Sequence, residues 1–504
     1  MITFLFFDII CVMILPSYSF IFIFLPLVVI LYHLANSRQL YLAGKVILLL
    51  SSAVFYALLT PGIKGLAALF VSVLVCYLLA TFGLGSGVPK AVRKISLAFG
   101  VTASISFLIY CRYLGYINEL LVNSGGTGLT FEAVIVPVGI SYFTFSQIAY
   151  LVDTYRDPDT RYSFADYLLF VSFFPKISVG PIALAGEMIP QFNDPSRKKL
   201  DYDNLSKGFY RFTLGLSKKL LLADSLGKYA DSAYANIPSL GSADAALAIL
   251  SYTLQIYFDF SGYCDIASGI CRMLNIDLCE NFDGPYKSLS IREFWKRWHI
   301  SLTRFFRNYL YIPMGGNRKG KIRTWLNNLF IFLISGLWHG AATHFIIWGG
   351  IHGLGMMISK MIAPFTEKVP RILRHVATFI FVSLAWVFFR AEDTGLALDM
   401  LSRLFKGGLV PINSSVIAMC TPAEFRLIQW IILKQAPDLT YYSSCAIWIF
   451  LVAVGLYFSA FSDTVKKRCD NFAASRKKTV TTVLLFTWSV LSLSEVTEFI
   501  YVNF

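Results

Sequence analysis

Long apolar runs alternate with short polar segments along the whole chain. An apolar run of about 17 to 25 residues is long enough to cross a bilayer as a helix. Such runs, some of them overlapping or interrupted, occur at 17–34, 46–60, 65–86, 95–111, 133–151, 166–183, 242–260, 326–347, 345–362, 376–392, 444–461 and 480–497. The pattern predicts an all-α polytopic membrane protein with about ten to twelve spans.

Proline and glycine interrupt two of these runs, at Pro137–Gly139 and between Phe173 and Pro181. Proline removes a backbone donor and clashes with the preceding helical turn. Non-helical backbone at membrane depth is tolerated only where protein buries it or where it lines a cavity. We therefore expect broken or re-entrant helices that line an internal cavity, with Lys176 at its rim. The alternative is an ordinary kinked helix from which Lys176 extends to the surface.

Composition agrees with a membrane protein. Of the 504 residues, 56% are hydrophobic and 15% are charged, and the mean hydropathy is +0.62, whereas about a quarter of the residues in a soluble domain are charged. We interpret residues 1–504 as one integral membrane domain, with N-terminal spans in 1–130, a core holding the active site in 131–362 and C-terminal spans in 363–504. The nine cysteines are scattered and form no C-x-x-C pair, so neither a disulfide framework nor a zinc site is predicted.

The formal net charge is +14, and basic residues cluster at 90–94, 197–219, 292–323 and 466–478. Short loops rich in lysine and arginine stay in the cytoplasm, so we expect all four clusters on that side. Topology and contacts with anionic lipids account for three of them. Because the basic residues fit cytoplasmic loops of a membrane protein, no nucleic-acid partner is predicted. The 292–323 cluster holds nine basic residues and calls for a further explanation.

The segment Ile291–Ile312 has the pattern of an amphipathic helix that lies in the plane of the membrane. At 100° per residue its cations fall on one face and its aromatic and aliphatic residues on the other. His299 falls at the boundary between the two faces. One interpretation is a lipid anchor. The other is that the cations also bind a phosphate-bearing donor such as coenzyme A or a phosphopantetheine arm, and the candidate residues are Lys296, Arg297, Arg304 and Arg307.

A second histidine lies in Trp338-His339-Gly340, within one of the most apolar stretches of the chain. An ionisable group at membrane depth is a functional hypothesis by default. Asp259 and Asp265, in an aromatic run, either accept the second N–H of a histidine or pair with an arginine of 291–312. Both alternatives stay open. The spacing of His339 and His344 does not match the i, i+4 pattern of a helical zinc site, so no metal is predicted.

At these residues the chain resembles the membrane-bound O-acyltransferase family and, within it, the membrane subunit of alginate O-acetyltransferase. The matching stretches are Pro137–Arg156, Phe173–Ile182, Ile256–Ala267, Glu280–Asn317, Ser335–Gly353, Ser383–Ala391 and Phe499–Phe504. The resemblance implies a helical bundle around a funnel or tunnel, through which an acyl group passes from a cytosolic thioester to an acceptor on the far side.

The same resemblance implies roles for particular histidines. His339 matches the near-universal histidine of the family, and His299 matches the second active-site histidine of this branch. His352 also matches, with no assigned role, and Trp338 is a candidate supporting residue. His344 stands where relatives more often have tryptophan or an uncharged polar residue, so we expect it to make a local polar contact.

Acyl transfer from a thioester to a hydroxyl needs a base near the hydroxyl and stabilisation of the oxyanion. The two histidines meet this minimum without a bound cofactor. The family resemblance implies acetyl coenzyme A or an acyl-carrier thioester as donor, and the hydroxyl of a cell-surface or secreted polysaccharide such as alginate as acceptor. An extracytoplasmic transferase partner and a location in the bacterial inner membrane are expected as well. The alternative is a transporter or a scaffold of a secretion complex, although the inverted repeat of many transporters is not evident.

Overall fold

The protein is helical throughout the part that the structure describes. This structure, a computed structural model, describes residues 14–60, 63–127, 136–408, 410–418, 430, 431, 434, 439–497, 499 and 500, none of which is in a β-strand. Within these ranges, seven helices are long and apolar enough to cross a membrane: Phe20–Ser37, Tyr41–Leu59, Ile63–Gly83, Lys90–Arg112, Thr343–Thr366, Arg371–Arg390 and Thr440–Phe461. The all-helical membrane architecture is confirmed, and the count of ten to twelve spans stays a prediction.

The described residues group into two compact units. The first comprises the described parts of 1–212 and 264–280. After a π-helical turn at Phe20–Phe24, its α-helices are Leu25–Ser37, Tyr41–Leu59, Ile63–Leu78, Lys90–Arg112, Leu114–Asn123, Ile140–Arg156, Phe164–Ser172 and Ala185–Asn193, followed by the start of Tyr202–Ser217. A further π-helical turn at Leu79–Gly83 extends the third of them.

The second unit comprises the described parts of 213–263 and 281–504. It begins with the π-helical segment Lys218–Ala223 and the helix Asp224–Ala235, and it includes the first part of the 32-residue helix Ser242–Met273. Its later α-helices are Ile291–Arg297, Ile300–Phe306, Gly320–His339, Thr343–Thr366, Arg371–Arg390, Thr394–Lys406, Ser414–Ala418, Thr440–Leu456, Val465–Asp470 and Arg476–Leu491.

The predicted interruptions of the apolar runs are present. Gly139 adopts a left-handed conformation (φ 74°) at the start of the helix Ile140–Arg156, where a Cβ atom would lie 2.0 Å from the carbonyl oxygen of Ile177. Residues 173–183 are buried without forming a helix. Lys176 is 5% exposed, and its ammonium lies 4.5 Å from the centroid of the Phe170 ring. The alternative of a lysine extending to the surface is therefore wrong.

Small residues let two helices of the second unit pack closely. The helices Gly320–His339 and Thr343–Thr366 form a hairpin joined by three residues. A Cβ atom on Gly336 would lie 2.2 Å from the carbonyl oxygen of Phe345, so only glycine permits this approach. The hairpin fixes the end of its first helix, where His339 is the last residue.

Candidate active site

The segment 291–312 is not one helix, and the prediction of a continuous amphipathic helix is wrong. A helix at Ile291–Arg297 ends at Trp298, which is extended, and a second helix begins at Ile300. Between them His299 has a left-handed backbone (φ 45°, ψ 53°), a conformation that costs a non-glycine residue about 1–2 kcal/mol. Such strain persists where the surroundings enforce it, and it is concentrated at functional sites. His299 is fully buried and does not lie at the edge of a surface helix.

Trp298 and His299 interrupt the helix, and this interruption is called the break below. Side chains on both sides hold the break in place. Ser290 caps the first helix by accepting the N–H of Glu293, and the Glu293 carboxylate accepts the N–H of Leu289 (2.9 Å). This arrangement resembles a capping box. The second helix has no cap from its own N-terminal residue. Asn281 supplies it: its backbone oxygen accepts the N–H of Ile300 (3.0 Å) and its side-chain oxygen accepts that of Ser301 (3.1 Å).

The break brings His299 next to His339. The centroids of the two imidazole rings are 6.4 Å apart, and the residues are 0% and 1% exposed. The Trp338 ring lies 6.0 Å from the ring of His299 and 4.8 Å from that of His339, and the Phe260 ring lies 4.8 Å from that of His299. Residues distant in sequence therefore form one buried pair, and Trp338 lies beside both rings.

Two further rings enclose His339. Its imidazole is 5.1 Å from the ring of Trp348 and 5.2 Å from that of Phe389. Aromatic rings therefore pack around the imidazole of His339 on several sides. His339 also ends a 20-residue helix. The partial negative charge at a helix C-terminus stabilises an imidazolium that forms there.

The remaining candidate histidines make structural contacts. His352 accepts a hydrogen bond on Nδ1 from the indole N–H of Trp295 (3.1 Å), which places the proton of the neutral ring on Nε2. Its ring is 5.0 Å from that of Trp348, so it stands behind a wall of the site. His344 donates from Nδ1 to the carbonyl oxygen of Phe388 (2.8 Å), which is the local polar contact expected for it.

The ion partners of the two aspartates differ from both expectations. Asp259 pairs with Lys219 (2.8 Å) and accepts the N–H of Ile500 (2.9 Å), so it helps to hold the C-terminal segment. Asp265 pairs with Arg211 (3.0 Å). Neither ion pair involves an arginine of 291–312. Sequence spacing could not show this, because the lysine and the arginine come from helical segments 40 and 54 residues upstream.

The four cations expected to bind the donor do not share one helix face, because the break separates Lys296 and Arg297 from Arg304 and Arg307. Lys296 is exposed, whereas Arg297 is held by Glu293 (2.9 Å), which offsets its charge. Arg304 is half-buried and Arg307 is exposed. The last two remain on one continuous helical segment, three residues apart, and so occupy neighbouring positions on its surface.

Sequence reasoning did not identify four residues that build the site. Asn281, Phe260, Trp348 and Phe389 all lie in or next to stretches that carry the family resemblance, but nothing in their spacing connects them. The signal that could have identified Asn281 is its side-chain type, since asparagine is among the best helix N-caps. Here it caps a helix 19 residues further along the chain.

Asn281→Ala should weaken the break and lower activity. Losing a helix cap costs about 1 kcal/mol, and the start of the helix that follows His299 would become less ordered. We expect a lower unfolding temperature together with a lower kcat for acyl transfer. Asn281→Asp keeps the acceptor oxygen and should stay much closer to the wild type in both measurements. Equal activity in the alanine and aspartate variants would show that this cap does not position His299.

Comparisons with known proteins give the family and the relatives of the chain. The membrane-bound O-acyltransferase family profile matches residues 49–392, more than half of the chain. The peptidoglycan O-acetyltransferase of Helicobacter pylori is 38% identical over 431 residues, covering 80% of each chain. A probable alginate O-acetylase of Pseudomonas aeruginosa is 36% identical, covering 79% of this chain and 75% of its own. The teichoic acid D-alanyltransferase of Bacillus subtilis is 28% identical, covering 51% of this chain and 69% of its own.

The family profile spans both histidines, the hairpin that ends in His339 and the Phe389 side chain beside it. Two relatives above 30% identity extend over about four-fifths of the chain. Helices long and apolar enough to cross a membrane are present in both compact units. The protein is an integral membrane O-acyltransferase and belongs to the membrane-bound O-acyltransferase family.

Proposed function

We propose that the protein passes an acetyl group from a cytosolic thioester to a hydroxyl acceptor on the extracytoplasmic side of the bacterial inner membrane. The observation that carries the proposal is the buried pair His299 and His339, with ring centroids 6.4 Å apart. A ring nitrogen hydrogen-bonds at a distance of about 2.9 Å, so a small reacting group between the two rings can contact both imidazoles. The pair is therefore suited to act on a single small reacting group.

In this proposal His339 is the general base. It takes the proton of the acceptor hydroxyl as the hydroxyl oxygen attacks the thioester carbonyl carbon. The carbon–sulfur bond then breaks, an ester remains on the acceptor, and the proton on His339 passes to the leaving thiolate. His299 donates a hydrogen bond to the thioester carbonyl oxygen, an interaction that gains strength as negative charge develops there. Neither a metal nor a protein nucleophile enters the scheme.

The donor is proposed to be acetyl coenzyme A or an acyl-carrier thioester, bound from the cytoplasm through Arg304 and Arg307. Both donors carry phosphate, which arginine binds through charge-assisted hydrogen bonds. The two side chains lie on the helical segment that follows His299. A phosphate held there would direct the thioester arm toward the histidines. Lys296 stays a candidate, and the compensated charge of Arg297 makes it the weakest of the four.

Replacing Arg304 and Arg307 with glutamine should raise the KM for acetyl coenzyme A about tenfold, since hydrogen bonds to charged groups contribute about 1.5–3 kcal/mol before solvent screening. The matched control is the double glutamine variant of Lys368 and Arg371, which are exposed as Arg307 is but lie in the turn before the helix Arg371–Arg390 and at its first residue. Wild-type KM should rise with salt, because exposed charges are screened beyond about 10 Å at 0.1 M. An unchanged KM in the first variant would limit these arginines to a role as a lipid anchor.

The acceptor is proposed to be a cell-surface or secreted polysaccharide, reached through a partner transferase outside the membrane. The relatives are named for peptidoglycan, alginate and teichoic acid. All three are polymers outside the cytoplasmic membrane, which supports an extracytoplasmic acceptor. Alginate is one candidate, and the shared chemical class is a hydroxyl-bearing glycopolymer.

Reconstitution in sealed liposomes tests the proposal. Acetyl-labelled coenzyme A is supplied outside, and a hydroxyl-bearing oligosaccharide is enclosed inside with extracts of the extracytoplasmic compartment. We expect labelled ester inside and an equal amount of free thiol outside, both dependent on the protein. A transporter or a scaffold, the competing interpretation, would leave the thioester intact. If thiol release does not exceed that of empty liposomes, the acyltransfer scheme is excluded.

A further inference from the structure

A cavity in the second unit is separate from the histidine pair and combines apolar walls with a basic mouth. It has a volume of about 360 Å³, within the range of about 300–1,000 Å³ that is usual for sites of small molecules. Its walls include Leu214, Leu221, Phe258 and Leu451. Neither His299 nor His339 lines it, and no step of the proposed acyl transfer uses it.

The depth of the cavity matches one leaflet of a bilayer. It follows the second half of the span Thr440–Phe461, from Phe450 in the middle of that span to Phe458, and continues beyond it as far as Arg468. Eleven residues separate Phe450 from Phe461, and at 1.5 Å per residue they extend about 16 Å. The hydrocarbon core of a bilayer is about 30 Å thick. The cavity therefore runs from near the middle of the membrane to one of its surfaces.

The mouth of the cavity carries positive charge. Lys287 and Arg468 line it where the span ends, and Lys287 is fixed by donating to the carbonyl oxygen of Ser462 (2.5 Å). Asp463 also lines the mouth, but its carboxylate accepts a hydrogen bond from Lys467 (2.8 Å). That bond lowers the pKa of Asp463, so the two form a neutral ion pair. The charge of the two cations is left in excess.

We propose that this cavity is a binding site for one anionic phospholipid. The apolar walls over one leaflet fit an acyl chain, and the cations at the membrane surface fit the headgroup phosphate. Each cation near an anionic headgroup contributes about 1 kcal/mol, which corresponds to a factor of about five in affinity. A zwitterionic lipid of the same chain length has no net charge to match the mouth.

Aromatic contacts link a wall of the cavity to the residues around the histidine pair. Tyr257 lines the cavity, and its ring centroid is 6.3 Å from that of Trp298 and 5.9 Å from that of Phe282. Trp298 directly precedes His299, and Phe282 follows the capping residue Asn281. A bound lipid would pack against Tyr257 and so support the aromatic side chains that contact Trp298 at the break. Occupancy should therefore increase acyl transfer as well as stability.

Native mass spectrometry of the purified protein tests the site directly. The protein in detergent is exposed to equal amounts of phosphatidylglycerol and phosphatidylcholine with the same chains. We expect one phosphatidylglycerol to be retained in preference. Lys287→Gln and Arg468→Gln should each reduce its retention about fivefold, and Val454→Trp should reduce it further by filling the cavity. The matched control is Lys466→Gln, which removes an exposed cation of the same short helix without touching the cavity and should retain lipid as the wild type does.

Two additional measurements show that the variants fold and that the cavity is not part of the donor site. The unfolding temperature in lipid-free detergent should be the same for the wild type and Arg468→Gln, and somewhat lower for Lys287→Gln, which loses the hydrogen bond to Ser462; a cooperative transition in both variants shows that they fold. Coenzyme A should not displace the retained lipid. Displacement by coenzyme A would identify the cavity as part of the donor site and overturn the proposal. Equal retention of the two lipids, or a loss with Lys466→Gln as large as with Arg468→Gln, would overturn it too.

Discussion

Replacing His339 with alanine should abolish acyl transfer while the protein still inserts and can be purified. Removal of a general base typically lowers the rate about 10² to 10⁴-fold. The imidazole is 1% exposed and packs against aromatic rings, an environment in which a polar group is costly to bury. Folding therefore gains little from it. The measurement is the initial rate of thiol release from acetyl coenzyme A in reconstituted liposomes, together with the monodispersity of the purified protein.

His344→Ala is the matched control for this prediction. His344 lies five residues further along the chain and donates a hydrogen bond to the carbonyl oxygen of Phe388. Its removal leaves a buried acceptor without that bond, at a cost of about 1–3 kcal/mol. We expect a lower unfolding temperature with acyl transfer largely retained, the reverse of the pattern for His339→Ala. If His339→Ala merely failed to accumulate, His339 would be a structural residue.

Replacing His299 with glycine should separate the role of its side chain from that of its backbone. The left-handed conformation at His299 (φ 45°) is costly for alanine but not for glycine. His299→Gly should therefore be about 1 kcal/mol more stable than His299→Ala. Both variants lack the imidazole, so both should lose acyl transfer by at least about 10²-fold. Rates of thiol release and unfolding temperatures are compared for the two variants.

Comparing the rate of thiol release with the unfolding temperature distinguishes a role of the His299 imidazole from a role of its backbone. Equal loss of activity at unequal stability means that the imidazole itself is needed. If the glycine variant regained most of the activity that the alanine variant lacks, His299 would act through the shape of the backbone alone. Asn281→Ala, which loosens the same break from the other side, should lower the rate less than either substitution, because the imidazole remains.

Much of the architecture follows from local features of the sequence. Apolar run length predicts the spans, and proline and glycine at 137–139 and in 173–181 predict the interruptions, because both effects depend on neighbouring residues. His339 could be identified for a similar reason, since a histidine within an apolar stretch calls for an explanation. These inferences needed no knowledge of which distant segments meet.

The break at Trp298–His299 could not be predicted in this way. A helical wheel assumes a continuous helix, and the segment 291–312 satisfies its pattern of cations and aromatic residues. The interruption depends on Asn281, which comes from an earlier segment and accepts the N–H groups of Ile300 and Ser301. Likewise, the charge of Asp259 does not reveal that Lys219 is its partner. Contacts between distant residues decide such features, and a single sequence does not show them.

If His299 and His339 act together as one catalytic unit, as proposed, a double-mutant cycle should show strong coupling between them. Rates of thiol release are measured for the wild type, His299→Ala, His339→Ala and the double variant, all in the same liposomes. Residues that act as a unit have strongly non-additive effects. We expect the double variant to be no more than a few-fold slower than the slower single variant. Losses that multiply in the double variant, or a wild-type rate in His339→Ala, would contradict the claim.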